Sequence, residues 1–144
     1  MRIVFDENNI RPGLLGVVLL SHGTLAEGLM SAASIVFGDI ENMAAFCLEP
    51  GDDLDAFRDA FARAVGAFAT CVVLVDMKGG TPCNLLLRHA RENHLKLNAV
   101  TGANLSMLLE ILGMRDDADP EELCRAAVEA AQTGVVDLSA YLRK

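Results

Sequence analysis

The sequence predicts an α/β fold: a single three-layer domain with a mainly parallel four-stranded sheet, helices on both faces, and a short C-terminal antiparallel edge strand. Two observations predict it. Short apolar runs alternate along the chain with longer segments of helical periodicity, an order typical of parallel sheets that helices cover on both faces. The length of 144 residues suits one domain with a sizeable core.

The first unit is a strand, a tight turn and a helix. Residues 14–20 form a continuous aliphatic run, too short for a helix that buries itself and typical of a strand covered on both faces. Gly23 follows as the turn. Thr24 with Glu27 three residues later matches a capping box, so we expect a helix to begin here and to end at Gly38.

The second and third units repeat this order. A strand at residues 43–48 precedes a helix that Asp52 or Asp53 caps. A third strand at residues 71–75 ends at an aspartate and a glycine-rich loop, after which Thr81 caps the next helix, with proline at its first position.

The last part of the chain is richer in helix. A fourth strand is predicted at residues 97–100, and Asn104 opens the helix that follows it. Asp119 precedes a proline and opens one more helix, which Gly134 closes. Residues 135–138 then provide the short antiparallel edge strand.

Composition disfavours several classes of function. The formal charge of −8 argues against nucleic-acid binding, because a phosphate backbone is bound by clustered Lys and Arg. No apolar run approaches the roughly 20 residues that cross a bilayer, and residues 1–13 lack the order of a signal peptide. We therefore expect a cytoplasmic protein without stable membrane insertion. The four cysteines have no CxxC spacing, which indicates reduced thiols.

The first and third strands lead to residues whose chemistry fits together. His22 follows the first strand and Asp76 the third, and ligands bind at the carboxyl ends of the strands in such sheets. If the strands are neighbours, the carboxylate accepts the proton of one ring nitrogen and leaves the other as a nucleophile. It also stabilises the imidazolium that forms when the ring takes a phosphoryl group. We predict His22 and Asp76 as catalytic residues.

Backbone groups beside this pair offer a site for phosphate oxygens. Gly23, Gly79 and Gly80 permit close approach of the backbone, and the helix that begins at Thr81 presents its first N–H groups to an anion. We predict these four residues as phosphate-binding.

Metal and hydrolytic chemistry are not predicted. His89 and His94 fall on different sides of a helix, which disfavours a metal pair. Ser21 and His22 are adjacent on a strand and point to opposite faces, which disfavours a Ser-His dyad.

Three other interpretations stay open at this point. A receiver-type phosphoaspartate module would also place an aspartate where Asp76 lies, but it needs acidic magnesium ligands where this chain has Ser21-His22-Gly23. A flavin or nucleotide binder would use the same edge with aromatic stacking, and the chain has no Trp. A regulatory or assembly module would use the fold only as an interaction surface, and would keep its activity without Asp76.

Three blocks of sequence resemble a known family. They are GVVLLSHG from Gly16, LVDMKGGTPCN from Leu74 and TGANLSML from Thr101. In this order they are similar to the enzyme IIA component of the mannose class (mannose, fructose and sorbose type) of the bacterial sugar phosphotransferase system. The resemblance assigns residues 13–144 to this domain and leaves residues 1–12 as an N-terminal extension, to which we assign no role.

The resemblance implies a role for each site residue. The family's phosphorylated histidine falls on His22, its histidine-orienting aspartate on Asp76, and its hydroxyl residue beside the phosphate on Thr81. The ring nitrogen far from the backbone would be phosphorylated by the histidine-containing phosphocarrier protein and would pass the group to a IIB component, without a cofactor or a metal.

The resemblance also implies quaternary structure and partner contacts. It implies a homodimer in which the C-terminal strand, here near residues 135–138, is exchanged between subunits. This chain has Lys78 where the family commonly has a bulky aromatic residue. We predict Lys78 and Asn104 as candidates for the partner surface.

Overall fold

A mixed sheet forms the centre of the protein. The computed structural model describes residues 1–143. The strands are β1 (Arg2–Val4), β2 (Gly16–His22), β3 (Met43–Leu48), β4 (Cys71–Val75) and β5 (Ala99–Thr101). They lie in the order β1-β3-β2-β4-β5, in which β1 pairs antiparallel with β3 and every other pairing is parallel.

Helices cover both faces of this sheet. They are α1 (Leu25–Phe37), α2 (Leu54–Ala67), α3 (Thr81–Glu92), α4 (Leu105–Met114), α5 (Pro120–Thr133) and α6 (Leu138–Leu142). Within residues 1–143, none of them combines the length and the apolar character that a membrane span requires.

Alternate residues of β2 enter two separate cores. Val17 and Leu19 pack with residues of α1, α4 and α5 on one face of the sheet. Val18 and Leu20 pack with residues of α2 and α3 on the other face. Because both faces of the strand are buried, its aliphatic run contains no polar position before Ser21.

The N-terminal extension contributes an edge strand, a role that the sequence analysis did not assign. In the β1–β3 pairing, Ile3 lies opposite Phe46. Phe5 continues the contact, with its ring centroid 5.7 Å from that of Phe68. Residues 2–4 therefore cover the outer edge of β3.

The predicted C-terminal edge strand does not form within the single chain. Residues 135–137 form no regular element, and residues 138–142 are helical. Asp137 caps this helix by accepting a hydrogen bond from the Ser139 backbone N–H at 2.9 Å. Val135 and Val136 favour a strand by propensity, but a strand is stable only where a neighbouring strand supplies its hydrogen bonds. The antiparallel edge strand is the N-terminal one instead.

The helix caps agree with the sequence at three starts and differ at two, at Thr24 and at Thr81, where Gly80 is the N-cap. Asp53, Asn104 and Asp119 each accept a hydrogen bond from a backbone N–H in the first turn of their helices. The capping box at Thr24 is wrong, because its side chain makes no cap hydrogen bond. Its predicted partner Glu27 forms an ion pair with Arg2 of β1, which sequence periodicity could not reveal.

Candidate active site

Strands β2 and β4 end side by side at the carboxyl edge of the sheet. Leu20 and Val75 are the last paired residues, and the backbone N–H of Asp76 donates to the Leu20 carbonyl at 3.1 Å. Beyond this point β2 pairs only with β3, and His22 lies opposite Leu48. The side of His22 that faces β4 is therefore left to the side chain of Asp76.

The Asp76 carboxylate is held between two backbone donors and the imidazole. Its Oδ2 accepts from the His22 backbone N–H at 2.9 Å and lies 2.7 Å from His22 Nδ1. Its Oδ1 accepts from the Met77 backbone N–H at 2.9 Å. Since an ionised carboxylate only accepts hydrogen bonds, Nδ1 carries the ring proton and donates a hydrogen bond to Oδ2. The ring is thus held in the tautomer whose Nε2 has a free lone pair.

The two side chains differ in their exposure. The His22 side chain is 46% exposed and that of Asp76 is 10% exposed. Water therefore screens the carboxylate less than the ring, and the attraction between a positively charged imidazole and Asp76 is stronger than at an open surface. This arrangement favours a ring that gains positive charge when it reacts.

Gly80 lies directly against the imidazole. A Cβ placed on Gly80 would be 2.6 Å from His22 Cε1 and 3.2 Å from Nε2. Gly80 is also the N-cap of α3, and no described side chain caps this helix. The positive end of the α3 dipole therefore lies beside Nε2, where a phosphoryl group on that atom would be.

The loop before α3 is held by Asn84. Its side-chain amide donates to the Gly79 carbonyl at 3.1 Å, and Gly79 has a φ of +81°, which favours glycine. The sequence predicted Thr81 as the N-cap of α3. The N-cap is Gly80 instead, and Thr81 is the first residue of the helix.

Gly23 serves a different purpose from the other two glycines. Its φ is +56°, and its backbone N–H donates to the Leu48 carbonyl at 2.7 Å. Because this N–H is used inside the fold, it is not available to a phosphate in this conformation. Gly23 supplies the turn that follows His22.

The two candidates for the partner surface have different environments. Lys78 is exposed in the loop that follows Asp76. The Asn104 side chain accepts from the Met107 backbone N–H at 2.9 Å and donates to the Ala131 carbonyl at 3.2 Å. Both ends of this amide are engaged within the fold, which favours a structural role for Asn104 over a partner contact.

An Asn104→Ala variant should therefore lose stability without changing the arrangement of His22 and Asp76. We expect the free energy of unfolding to fall by about 1–2 kcal/mol, because the variant loses a helix cap. Urea unfolding measures this change. The exposed Asn8→Ala change should stay within about 0.5 kcal/mol of the wild-type value. Equal stabilities for the two variants would contradict the capping role.

The remaining candidate groups lie outside the site. All four cysteines are free thiols, and Cys83 is buried in the first turn of α3. Burial raises the pKa of the Cys71 thiol to about 11, so this thiol is a poor nucleophile at neutral pH. The His89 ring packs edge-on against Phe61 with 6.0 Å between centroids.

Comparison with known families identifies the family of the chain. The family model described as PTS system fructose IIA component matches residues 16–128 of the chain. The chain belongs to this family. The matched segment contains His22 and Asp76, and the resemblance to enzyme IIA of the mannose class is confirmed.

Curated relatives of this EIIA chain agree with the family. The chain is 31% identical over 131 residues to the PTS system mannose-specific EIIAB component of Escherichia coli K12, a match that covers 88% of the chain and 40% of that relative. The chain thus spans about two fifths of the length of this relative. It is 24% identical to the fructose-specific EIIA component of Bacillus subtilis, with 91% of each chain covered.

Solved structures show the same EIIA fold. The phosphotransferase system component EIIA from Streptococcus agalactiae superimposes with a TM-score of 0.82 at 27% identity, covering 88% of this chain and 99% of that one. The mannose/sorbose specific IIA subunit from Enterococcus faecalis has a TM-score of 0.73 at 26% identity, with 86% and 94% of the two chains covered. These comparisons place the chain in the EIIA family of the phosphotransferase system.

Proposed function

We propose that this EIIA chain is a cytoplasmic phosphocarrier that holds a phosphoryl group on Nε2 of His22. It receives the group from the histidine-containing phosphocarrier protein and passes it to a IIB component during sugar uptake. The observation that carries this proposal is the 2.7 Å contact between Nδ1 and Asp76 Oδ2 on a half-exposed ring. Such a ring presents one nucleophilic nitrogen to a partner protein.

The transfer step balances without a metal or a cofactor. The Nε2 lone pair of His22 attacks the phosphorus of the donor's phosphohistidine in line. The new P–N bond forms as the donor's P–N bond breaks, and the donor ring, protonated on its other nitrogen, leaves as a neutral imidazole with the electron pair. The Nδ1 proton of His22 stays against Asp76, whose charge stabilises the positive phosphoimidazole ring.

Groups beside Nε2 support the placement of the phosphoryl oxygens. The N-terminus of α3, with Gly80 as its cap, offers backbone donors and a positive dipole. Thr81 begins this helix and adds a hydroxyl group, and we assign Gly79, Gly80 and Thr81 to this phosphate-binding region. Lys78 follows Asp76 closely and adds a positive charge to the same loop.

Exposed apolar side chains at the same edge support protein partners. Leu25 begins α1 after β2, Leu54 begins α2 after β3, and Met77 follows β4, with exposures of 46%, 45% and 53%. The carboxyl ends of these parallel strands meet at the edge where His22 lies. Protein interfaces use apolar contacts at their centre to exclude water. A small phosphate donor would not need such contacts.

The receiver-type alternative fits the geometry less well. Both oxygens of Asp76 already accept hydrogen bonds from His22 and Met77. A phosphoaspartate site needs one of these oxygens as a free nucleophile. The geometry therefore favours His22 as the nucleophile and Asp76 as the group that orients it.

An Asp76→Ala variant tests the proposal directly. We expect it to take up the phosphoryl group about 100-fold more slowly, because a loosely positioned ring loses orientation and the charge that stabilises its phosphorylated form. The rate is measured by following, over time, the labelling of the chain by the phosphorylated histidine-containing phosphocarrier protein. Asp76→Asn keeps the size of the side chain and isolates the effect of its charge.

A matched control for this variant is Asp59→Asn on the exposed face of α2. This change removes one negative charge that makes no contact with His22 or Asp76 among the described interactions, and it should leave the rate unchanged. Full-rate labelling of Asp76→Ala would contradict the proposed role of the carboxylate and would favour a module that uses the fold only as a surface.

We also propose a homodimer that buries the C-terminal segment of residues 135–142. Val135 and Leu138 are 73% and 72% exposed, and Leu142 is 90% exposed. So many adjacent exposed apolar side chains are typical of a protein–protein contact. A second copy of the chain can bury them symmetrically, as closed dimers do.

Charge placed in this segment should break the dimer. A Val135→Glu/Leu138→Glu variant should elute as a monomer of half the wild-type mass in size-exclusion chromatography with light scattering, because buried carboxylates are costly. An Ile35→Glu variant changes an apolar residue that is 85% exposed on α1 and serves as the matched control. Dimers of the double variant, or monomers of the wild type, would contradict this interface.

A further inference from the structure

Ser21 is a buried polar residue for which the phosphoryl transfer has no obvious use. Its side chain lies on the face of β2 opposite to His22, and the residue is 1% exposed. A buried hydroxyl is costly unless it is hydrogen-bonded. Its bonding partners therefore show what the residue does.

The Ser21 hydroxyl uses both its donor and its acceptor capacity within the turn after His22. Its Oγ accepts from the Ala26 backbone N–H at 2.8 Å and donates to the Gly23 carbonyl at 3.2 Å. Ala26 lies in the first turn of α1, where the Thr24 side chain provides no cap. Ser21 thus caps this helix in place of Thr24.

These bonds clamp the peptide groups on either side of Gly23. The Gly23 N–H is bound by the Leu48 carbonyl at 2.7 Å, and its carbonyl is bound by Ser21. His22 therefore lies between two residues, Ser21 and Gly23, that hydrogen bonds hold in place. Its own backbone N–H is bound by Asp76 at 2.9 Å. The backbone that carries the imidazole is therefore fixed before, at and after His22.

We propose that Ser21 is a positioning residue for phosphoryl transfer and acts through the His22–Asp76 hydrogen bond. The inference rests on the proposed function of His22. Without the hydroxyl, the turn relaxes, the backbone of His22 shifts, and Nδ1 loses its alignment with Oδ2. The Ser21 side chain itself touches neither the imidazole nor the phosphoryl group.

The first test is the rate of labelling of a Ser21→Ala variant by the phosphorylated carrier. We expect kcat to fall about tenfold with an unchanged KM for the carrier, because misplacement of a reacting group lowers the rate of the chemical step. Ser21→Thr keeps the hydroxyl and should recover most of the rate. If Ser21→Ala does not fold, Ser21→Cys, with a weaker hydrogen-bonding group of similar size, serves for the same test.

The matched control is Asn42→Gly at the opposite end of the sheet. Asn42 is also buried, and its side chain bonds the backbone of Arg11 and Leu14. Its φ of +52° suits glycine. This variant should lower the unfolding midpoint and keep the wild-type rate. A structural role of Ser21 alone would give the same result, with a lower midpoint and no change in rate.

A double-mutant cycle with Asp76→Ala and the nitrogen chemical shifts of the His22 ring decide between these outcomes. In the Asp76→Ala background, the Ser21→Ala change should slow transfer by less than about twofold, because the bond through which it acts is already lost. In Ser21→Ala alone, the shifts should show a smaller fraction of the Nδ1–H tautomer. A wild-type rate for Ser21→Ala, a full tenfold loss without Asp76, or an unchanged tautomer would overturn the inference. A wild-type chain that takes up no label contradicts the proposed function instead, and the ring shifts still test the role of Ser21.

Discussion

A His22→Ala variant is expected to take up no phosphoryl group from the phosphorylated carrier, under conditions in which the wild-type chain is labelled. The variant loses Nε2, the nucleophile of the proposed step. The backbone bond from residue 22 to Asp76 and the pairing with Leu48 do not need the side chain, so the fold should persist. Mass spectrometry at neutral pH measures the uptake, and circular dichroism checks the fold.

The other two histidines provide matched controls. His89→Gln retains a polar side chain near Phe61, and His94→Asn suits the φ of +50° at that position. Neither residue is near the carboxyl edge of β2, so both variants should be labelled at the wild-type rate. Labelling of His22→Ala, or loss of labelling in either control, would contradict the assignment.

The chemistry of the labelled wild-type chain separates His22 from Asp76 as the acceptor. A phosphohistidine is hydrolysed in acid and survives base, whereas an acyl phosphate is broken rapidly by base and hydroxylamine. We expect an acid-labile label that hydroxylamine does not release rapidly. A hydroxylamine-labile label would favour the receiver-type alternative, in which Asp76 carries the phosphoryl group.

The positions of the buried strands, and of His22 and Asp76 at the ends of two of them, followed from local sequence. β2, β3 and β4 are apolar because both of their faces are buried, so each appears as an uninterrupted run. The adjacency of β2 and β4 brings His22 to Asp76. The sequence indicated this contact only through the expectation that the first and third units are neighbours.

The two ends of the chain were harder to predict because long-range contacts decide their structure. β1 is three residues long and mostly exposed, and its pairing with β3 joins residues far apart in sequence. Arg2 also draws Glu27 away from the predicted capping box. At the other end, the propensity of Val135 and Val136 favoured a strand that has no described partner in the chain.

Several site residues gave signals with more than one meaning. Asn104 lies in a block shared with the family, yet its amide is used as a cap and as a contact to α5. Met77 orients Asp76 through a backbone N–H, which no side-chain pattern can mark. In the sequence, Ser21 is marked only by its position beside a histidine, whereas its bonds to Gly23 and Ala26 depend on the folded turn after His22.

A Gly80→Ala variant should show the second large effect, through steric contact alone. The new methyl carbon would lie 2.6 Å from His22 Cε1, whereas carbon atoms approach to about 3.5–4.0 Å at optimal separation. The ring must therefore move by about 1 Å, and a displacement of that size can reduce a reaction rate about 100-fold. We expect such a loss in the rate of labelling.

The backbone at this position does not oppose the change. Gly80 has φ −75° and ψ 169°, an extended conformation that alanine adopts without strain. The matched control is Gly66→Ala in α2, where a Cβ would meet no atom within 4 Å. It should raise the free energy of unfolding by about 0.5–1 kcal/mol and leave the rate unchanged.

The Gly80→Ala result separates ring position from phosphate binding, because alanine keeps the backbone N–H at the start of α3. A variant that retains this donor and the helix dipole but transfers slowly must owe its loss to the displaced imidazole. The His22 nitrogen shifts should then show a weakened Nδ1–H···Oδ2 contact with Asp76, as the ring moves away from the new methyl group. A wild-type rate with unchanged shifts would mean that the ring can give way without leaving Asp76, and that close approach of Gly80 is not required for transfer.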